Sequence, residues 1–456
     1  MTSNTQIIHA DSKLCAQSEL ELFESPPTLA QVEKTTCVGY RASSTLTDAS
    51  VLDFFIAGTG EEYIDLQQTK IHLEVSIRDH EGKRVPLTGS TPAGQPVIHG
   101  ASDKGPGPIN NFCHSLFSQV DVYFNDKQVS SSNNLYPYRA YLENLLNHGK
   151  DSSESHLSCA LYYHDTPGQL ETFDKENKGL IKRLNIAFQN ESFDMIAPLH
   201  VDCFNQNRYL LNNVDVKIRL TRSHPSFCLV TKEAPANGYK VIVKQATLFM
   251  HKVKLAPSLL LAHAQLLTRN PVKYPMHRVE MKSFSIPVGT LNANRDNLVL
   301  GQLPTHILVG LVDSEAESGN YVKNPFNFKH FNLKHLSLQI GSEQIPSQPL
   351  QPDYNNNLYI REYQGLIDAL GYWRTDKGIT IDRSAYANGY TLYGFNLSSS
   401  AQQCSEAFSL LKQGNLQMNL KFAQALPNAV MVICHMTFEN MMEIDQMRNI
   451  LFDYSM

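Results

Sequence analysis

The feature that most constrains this chain is a stretch it writes twice. Side chains on a strand point to opposite faces in turn. Val120, Val122 and Phe124, spaced by Asp121, Tyr123 and Asn125, therefore predict a strand with one buried face. Asn125-Asp126 is a tight-turn pair, and Gln128-Val129 resumes the run. A helix is predicted from Tyr136, with Pro137 in its first turn, where the missing N–H is harmless. Tyr138, Tyr141, Leu142, Leu145 and Leu146 follow at helical spacing, and Gly149 stops the run. The pattern returns at Leu336, Leu338 and Ile340, then Gly341-Ser342, then Gln344-Ile345. Val120 to Leu336 and Val129 to Ile345 both differ by 216 positions, with no gap between them. The second helix carries Tyr359, Tyr363, Leu366, Ile367 and Leu370, and Gly371 closes it. Its lead-in repeats too: Asn133-Asn134-Leu135-Tyr136 becomes Asn356-Asn357-Leu358-Tyr359.

Two more echoes keep the same order. Val214, Val216, Ile218 and Leu220 match Leu416, Met418, Leu420 and Phe422 at an offset of 202. Val241, Val243 and Leu248 match Met431, Ile433 and Phe438 at an offset of 190. Alternating strands resemble one another in any β protein, but conserved order with changes only in loop length points to a tandem duplication.

At 456 residues, 42% of them apolar, the chain can hold two such units, each with its own core. Residues 1–46 are polar and aperiodic and are expected to be an N-terminal arm, followed by a first unit at 47–256. A partly helical connector at 257–272, a second unit at 273–440 and a C-terminal tail at 441–456 complete the division. Asp79 to Asn110 is rich in Gly, Pro, Ser and Thr and is expected to be a long surface loop. Lys150 to Glu191 is expected to be irregular, with short strands near Leu157 to Tyr163, and Met441 to Leu451 is read as a terminal helix. Each unit thus offers about eight strands, one helix and long loops. That is an all-β chain of two tandem eight-stranded antiparallel jelly rolls.

Chemistry is hard to find in it. A jelly roll used as a cupin-type enzyme needs imidazoles alternating on one strand, yet the 17 histidines include no HxH pair. His330 and His335, five apart, cannot share a face of one regular strand, and His435 in an apolar strand reads as a core or interface histidine. No HExxH, GxSxG or Walker loop is present, and Gly58-Thr59-Gly60-Glu61-Glu62-Tyr63 fails GxGxxG at its last position. Glu61, Glu62 and Asp65 read as a solvated acidic loop, and Lys182-Arg183 as a solvated edge. None of the eight cysteines forms a CxxC pair, so they are read as reduced apolar fillers. The net charge of −5 and scattered Lys and Arg argue against a nucleic-acid or membrane-surface binder. Nothing near Met1 to Lys13 resembles a secretory leader, and no apolar run is long enough for a transmembrane segment, so a soluble chain is expected. No catalytic, metal-binding or cofactor-binding residue is assigned.

Phe54-Phe55-Ile56-Ala57-Gly58-Thr59-Gly60-Glu61-Glu62-Tyr63-Ile64-Asp65-Leu66 resembles the opening strand and turn of the major capsid proteins of Polinton (Maverick) elements and the related adintoviruses. His114-Ser115-Leu116-Phe117-Ser118-Gln119-Val120-Asp121-Val122 and the tyrosine-bearing helix at Tyr136 to Leu146 resemble the next block of that family. The likeness implies a double jelly-roll capsid subunit, structural and not enzymatic. It further implies homotrimers whose six rolls form pseudo-hexameric capsomers, tiling an icosahedral shell around a DNA genome. Implied partners are further copies of the chain, a penton protein and other minor capsid proteins, with no sequence-specific nucleic acid. The implied place is the virion, after synthesis in the host cytoplasm. The rival from another class is a receptor- or carbohydrate-binding β-sandwich of spike or lectin type.

Overall fold

Asn125 and Asp126 both take positive φ, 45° and 65°, and Phe124 pairs with Lys127 across them. This is the two-residue hairpin that such a pair favours, because its twist matches that of the flanking strands. Gly341 (φ 60°) does the same between Ile340 and Glu343. The repeated turns therefore fix the same register twice. The computed structural model describes Leu22, Phe23, Ser25, Leu46 and residues 28–44, 51–85, 106–130, 132–373, 375–398 and 408–454.

The first unit contains β1 (Val32–Arg41), β2 (Val51–Ile56), β3 (Glu62–Asp79), β4 (Phe117–Phe124), β5 (Lys127–Ser130), β6 (Phe193–Pro198), β7 (Val216–Arg222) and β8 (Tyr239–Leu255). The second contains β9 (Val272–Ile286), β10 (Asn292–Gln302), β11 (His306–Asp313), β12 (Leu333–Ile340), β13 (Glu343–Leu350), β14 (Leu392–Asn396), β15 (Gln413–Phe422) and β16 (Val430–Ile444). Sheet order in the first unit is β1-β8-β3-β6 facing β2-β7-β4-β5; in the second it is β9-β16-β11-β14 facing β10-β15-β12-β13. Adding eight to each strand of the first unit reproduces the second. Every echo found in the sequence falls on equivalent strands: β4 with β12, β5 with β13, β7 with β15, β8 with β16. The fold is a double jelly roll.

Among the described residues, the four longest helices flank or join the rolls: α1 (Tyr136–Asn147), α2 (Lys178–Gln189), α3 (Pro257–Leu267) and α4 (Ile360–Leu370). α1 and α4 are the repeated pair, and α3 lies in the stretch expected to be partly helical. Gly371 closes α4 at φ 70°, but α1 already ends at Asn147, ahead of Gly149.

Several expectations are corrected. The stretch read as an N-terminal arm holds β1, which pairs with β8 from Val32↔Leu255 to Arg41↔Thr247. β1 is mostly exposed, so it carries little of the alternation that marks a strand packed on a core. Residues 1–21 of that arm, and 86–105 of the long loop, lie outside the described residues. The irregular region contains α2, so the first roll has a second helix of the same length as α1. Its Asn177 cap accepts from Leu180 N, and Leu180, Leu184 and Phe188 are buried one turn apart. Near Leu157 there is a short helical turn, His156–Ala160, in place of strands. The predicted terminal helix is instead the end of β16, where Met442 and Ile444 are buried at strand spacing. A turn tied by Asn449 N donating to Asp445 Oδ1 (2.8 Å) returns Ile450–Phe452 antiparallel against it.

The second roll has its own core, in which Ile307, Val309 and Leu311 meet Leu336, Leu338, Leu416 and Val432. The first roll's core does not stop at its own sheets. It runs through Phe326, Phe328, Tyr390 and Ile433 to the other face of the second roll, reached by Leu308 and Val312. β11 is thus buried on both faces. Where α4 crosses β14, a Cβ on Gly394 would lie 2.7 Å from Ala369 Cβ and 3.0 Å from Leu366 Cα. Gly394→Val is expected to lower stability by about 1–3 kcal/mol through overpacking. An unchanged urea midpoint for that variant would refute the close helix–sheet approach.

Candidate functional site

The two rolls meet along a seam, and α1 lies inside it. Ten of its twelve residues are buried, from Tyr136 to Leu146, whereas α4 buries only Glu362, Leu366 and Ala369. A helix covered on all sides is a core element; one covered on a single stripe is a surface element. The duplicated helices have therefore taken different jobs. Around α1 the aromatic rings interlock: Phe326 stacks on Tyr141 at 4.2 Å and meets Tyr138 edge-on at 5.7 Å.

A chain of polar groups crosses the seam. Arg139 Nε donates to Glu143 Oε1 at 2.9 Å, and its Nη2 donates to Asp202 Oδ1 at 2.6 Å. Asp202 Oδ1 also accepts the backbone N–H of Val279 on β9, at 3.0 Å, so a first-roll carboxylate holds a second-roll strand. Glu143 Oε2 lies 2.6 Å from His200 Nδ1, and Glu143 Oε1 lies 3.9 Å from His435 Nε2 on β16. The His114 ring sits 4.7 Å from that of His200, with Nδ1 2.9 Å from the Tyr136 hydroxyl.

Burial pushes the Glu143 carboxyl up, but Arg139 and the two neighbouring imidazoles outweigh it and hold the group well below the usual carboxylate range. Burial, reinforced by His200 and opposed by Glu143, holds His114 well below the usual imidazole range. Both shifts have the same sign for stability. The unfolded chain binds protons that the folded chain refuses, so stability falls on acidification. The His114 contribution begins to be lost below about pH 6.5, the Glu143 contribution below about pH 4.3. His164 and His330, also lowered by burial, add to the first limb. The thermal midpoint is expected to be flat above about pH 7 and to fall between pH 6.5 and 5. His114→Gln should shrink that fall; a midpoint level from pH 7 to 5 would contradict it.

A second node lies near α2. Arg183, read in the sequence as a solvated edge, is 1% exposed. It donates to Pro108 O at 2.9 Å, Tyr163 O at 3.0 Å and Asp165 Oδ1 at 2.8 Å. The adjacent backbone carbonyl of Asp165 accepts from Tyr390 OH, across the seam, at 2.7 Å. Lys329 of the second roll reaches Glu171 of the first at 2.8 Å. The C-terminal turn adds a strap: Arg448 Nε donates to Asn212 O (2.9 Å), and Asn125 Nδ2 donates to Arg448 O (3.1 Å).

The other sequence candidates are scattered. Glu62 and Asp65 lie on β3 and not in a loop, and Glu62 pairs with Lys252 at 3.1 Å. His330 stacks on Tyr354 at 4.0 Å. His435 is buried. The described cysteines are free, and burial pushes Cys113, Cys228 and Cys434 up to about 12, which keeps them protonated at neutral pH. Among the described residues, no group of three or more His, Cys, Asp or Glu is placed to hold a metal ion. No helix among them is long and apolar enough to cross a membrane. Sequence reasoning missed Arg139, Glu143, His200 and Asp202. Arg139 and Glu143, spaced by four on a predicted helix, were the available signal.

No family model matches the chain. A Caenorhabditis elegans protein described as uncharacterized is 26% identical over 405 residues, which is 88% of this chain and 93% of that one. Among solved structures, a chain of the Sputnik virophage superposes with a TM-score of 0.64 at 10% identity, covering 98% of this chain and 94% of the other. The Faustovirus major capsid protein gives 0.57 at 10% identity, covering 94% and 92%. At such identities the likeness is one of fold, and it extends over both rolls.

Proposed function

We propose that this chain is a major capsid protein of the Polinton (Maverick) and adintovirus kind. The observation that carries the reading is the welding of two rolls of identical strand order into one block by a buried aromatic and ionic seam. A shell tile must present repeated, similar edges and must not flex between them. Two like rolls in one chain, tripled about an axis, give near-sixfold contacts from a single product. Whole-length likeness to the Faustovirus major capsid protein supports the same assignment. The chain then works as a homotrimeric, pseudo-hexameric capsomer in an icosahedral shell around DNA, together with penton and other minor capsid proteins. It acts in the virion, after synthesis in the host cytoplasm, and performs no catalysis. The residues upstream of β1 then serve as an arm, residues 257–271 join the rolls, and the residues after β16 serve as a tail. The test is light scattering and negative-stain microscopy of the purified chain. The expected species is three times 51.3 kDa, with three-lobed blocks or closed particles. A stable 51.3 kDa monomer at micromolar concentration would overturn the proposal.

A further inference from the structure

The connector helix α3 is apolar on most of its surface, Pro257-Ser258-Leu259-Leu260-Leu261-Ala262-His263-Ala264-Gln265-Leu266-Leu267, yet it fully buries only Leu267. Leu261 and Leu266 are 62% and 59% exposed. Beside it, where β3 and β8 of the first roll meet the start of β9, is an open groove of about 710 Å³. Leu255, Leu259, Leu266, Leu211 and Tyr209 supply its apolar walls. Several of its polar groups are already paired within the chain. Tyr63 OH lies 3.0 Å from His263 Nδ1, and Tyr274 OH donates to Tyr209 O at 3.2 Å and accepts from Leu211 N at 3.0 Å. A site of this size, with two of its three tyrosine hydroxyls so engaged, suits apolar side chains.

The same edge of the groove is where the chain's N-terminal segment departs. Ala256 N donates to Gln31 O at 3.0 Å, and Gln31 and Val32 line the groove. Immediately upstream, Leu22, Phe23 and Leu29 are 76%, 99% and 84% exposed. Leu29, two residues before Gln31, stands outside its own groove. Three bare apolar side chains thus precede the strand that borders an open apolar groove, and none of them lines it. We propose that the groove receives the Leu22–Leu29 segment of a neighbouring copy of this chain, so that each copy clasps the next. The exchange rests on the self-assembly proposed for the chain. A segment given and a groove received lie on one chain, so the contact can be passed head-to-tail around a closed ring such as the proposed trimer.

The test is a cysteine cross-link in the full chain, with Cys15, Cys37, Cys159 and Cys404 replaced by Ser. One tagged preparation carries Phe23→Cys; a second, with a different tag, carries Leu266→Cys. The two are co-assembled and mildly oxidised. The expected result is a two-chain product bearing both tags. Local effective concentration should raise it about tenfold over a control pairing Phe23→Cys with Leu300→Cys, on exposed β10. Intact oligomers without that product would overturn the groove assignment alone. Monomers without it would overturn the assembly reading as well. A chain carrying both substitutions that yields only an internally bridged monomer would place the segment in its own groove, and would likewise overturn the exchange.

Discussion

Shortening Phe326 to alanine is expected to lower the stability of the protein by about 3–5 kcal/mol. Phe326 is fully buried, stacked on Tyr141 with ring planes 5° apart and edge-on to Tyr138 and Phe227. Its ring belongs to the second unit, while three of its ring partners belong to the first. The loss therefore combines the transfer of an aromatic side chain, the cavity left behind and several ring–ring contacts of about 0.5–1.5 kcal/mol each. The surrounding rings are held from both rolls, so the cavity cannot collapse without shifting one roll against the other. Cooperativity should suffer along with stability. The wild-type chain is expected to unfold in one transition because the core is continuous across the seam; the variant should show two. Phe55→Ala, at a side chain 56% exposed, is the control and should change stability by no more than about 0.5 kcal/mol. A loss below about 1 kcal/mol at Phe326, with a single transition retained, would mean that the rolls are coupled elsewhere.

What was legible in the sequence was what is local. Asn125-Asp126, Gly341-Ser342 and the doubled Asn-Asn-Leu-Tyr lead-in report their own backbone geometry, and they anchored the duplication before any partner was known. Alternation in β4, β7, β12 and β15 was equally plain, since each puts one face on a core. β1 was not, because it is an edge strand that pairs with residues more than two hundred positions away and covers little. α2 was hidden by Lys182-Arg183, although the Asn177 cap and the Leu180, Leu184, Phe188 stripe were present. A buried arginine and a solvated one look the same until the carboxylate is found. The segment after Met441 carries apolar residues that fit both periods, and pairing along β9 decided for strand. The seam was the least visible part. Arg139 and Asp202 are 63 positions apart, and nothing in either neighbourhood announces the other.

Replacing Arg139 with leucine should be the most damaging change of charge in the molecule. Its guanidinium is 1% exposed and balances two carboxylates, Glu143 on its own helix and Asp202, itself only 4% exposed. Removing the cation leaves buried negative charge without a partner, which destabilises by about 3–5 kcal/mol even where the intact pair contributed little net stability. Asp202 also holds Val279 of β9, so the lost partner weakens the hold of one roll on the other. A double-mutant cycle separates these effects. Asp202→Asn keeps an acceptor for Val279 while removing one of the stranded charges. Combined with Arg139→Leu it should therefore lose less than the sum of the single changes, by about 0.5–3 kcal/mol. The pH dependence follows from the same geometry. Without Arg139, the largest influence holding Glu143 ionised is gone, its carboxyl takes up a proton at higher pH, and the acid limb due to Glu143 shrinks. The gap between wild type and Arg139→Leu should accordingly be widest near neutrality and should narrow in acid. Strict additivity in the cycle, together with a gap that does not change with pH, would show that Arg139 serves the seam by its bulk and not by its charge.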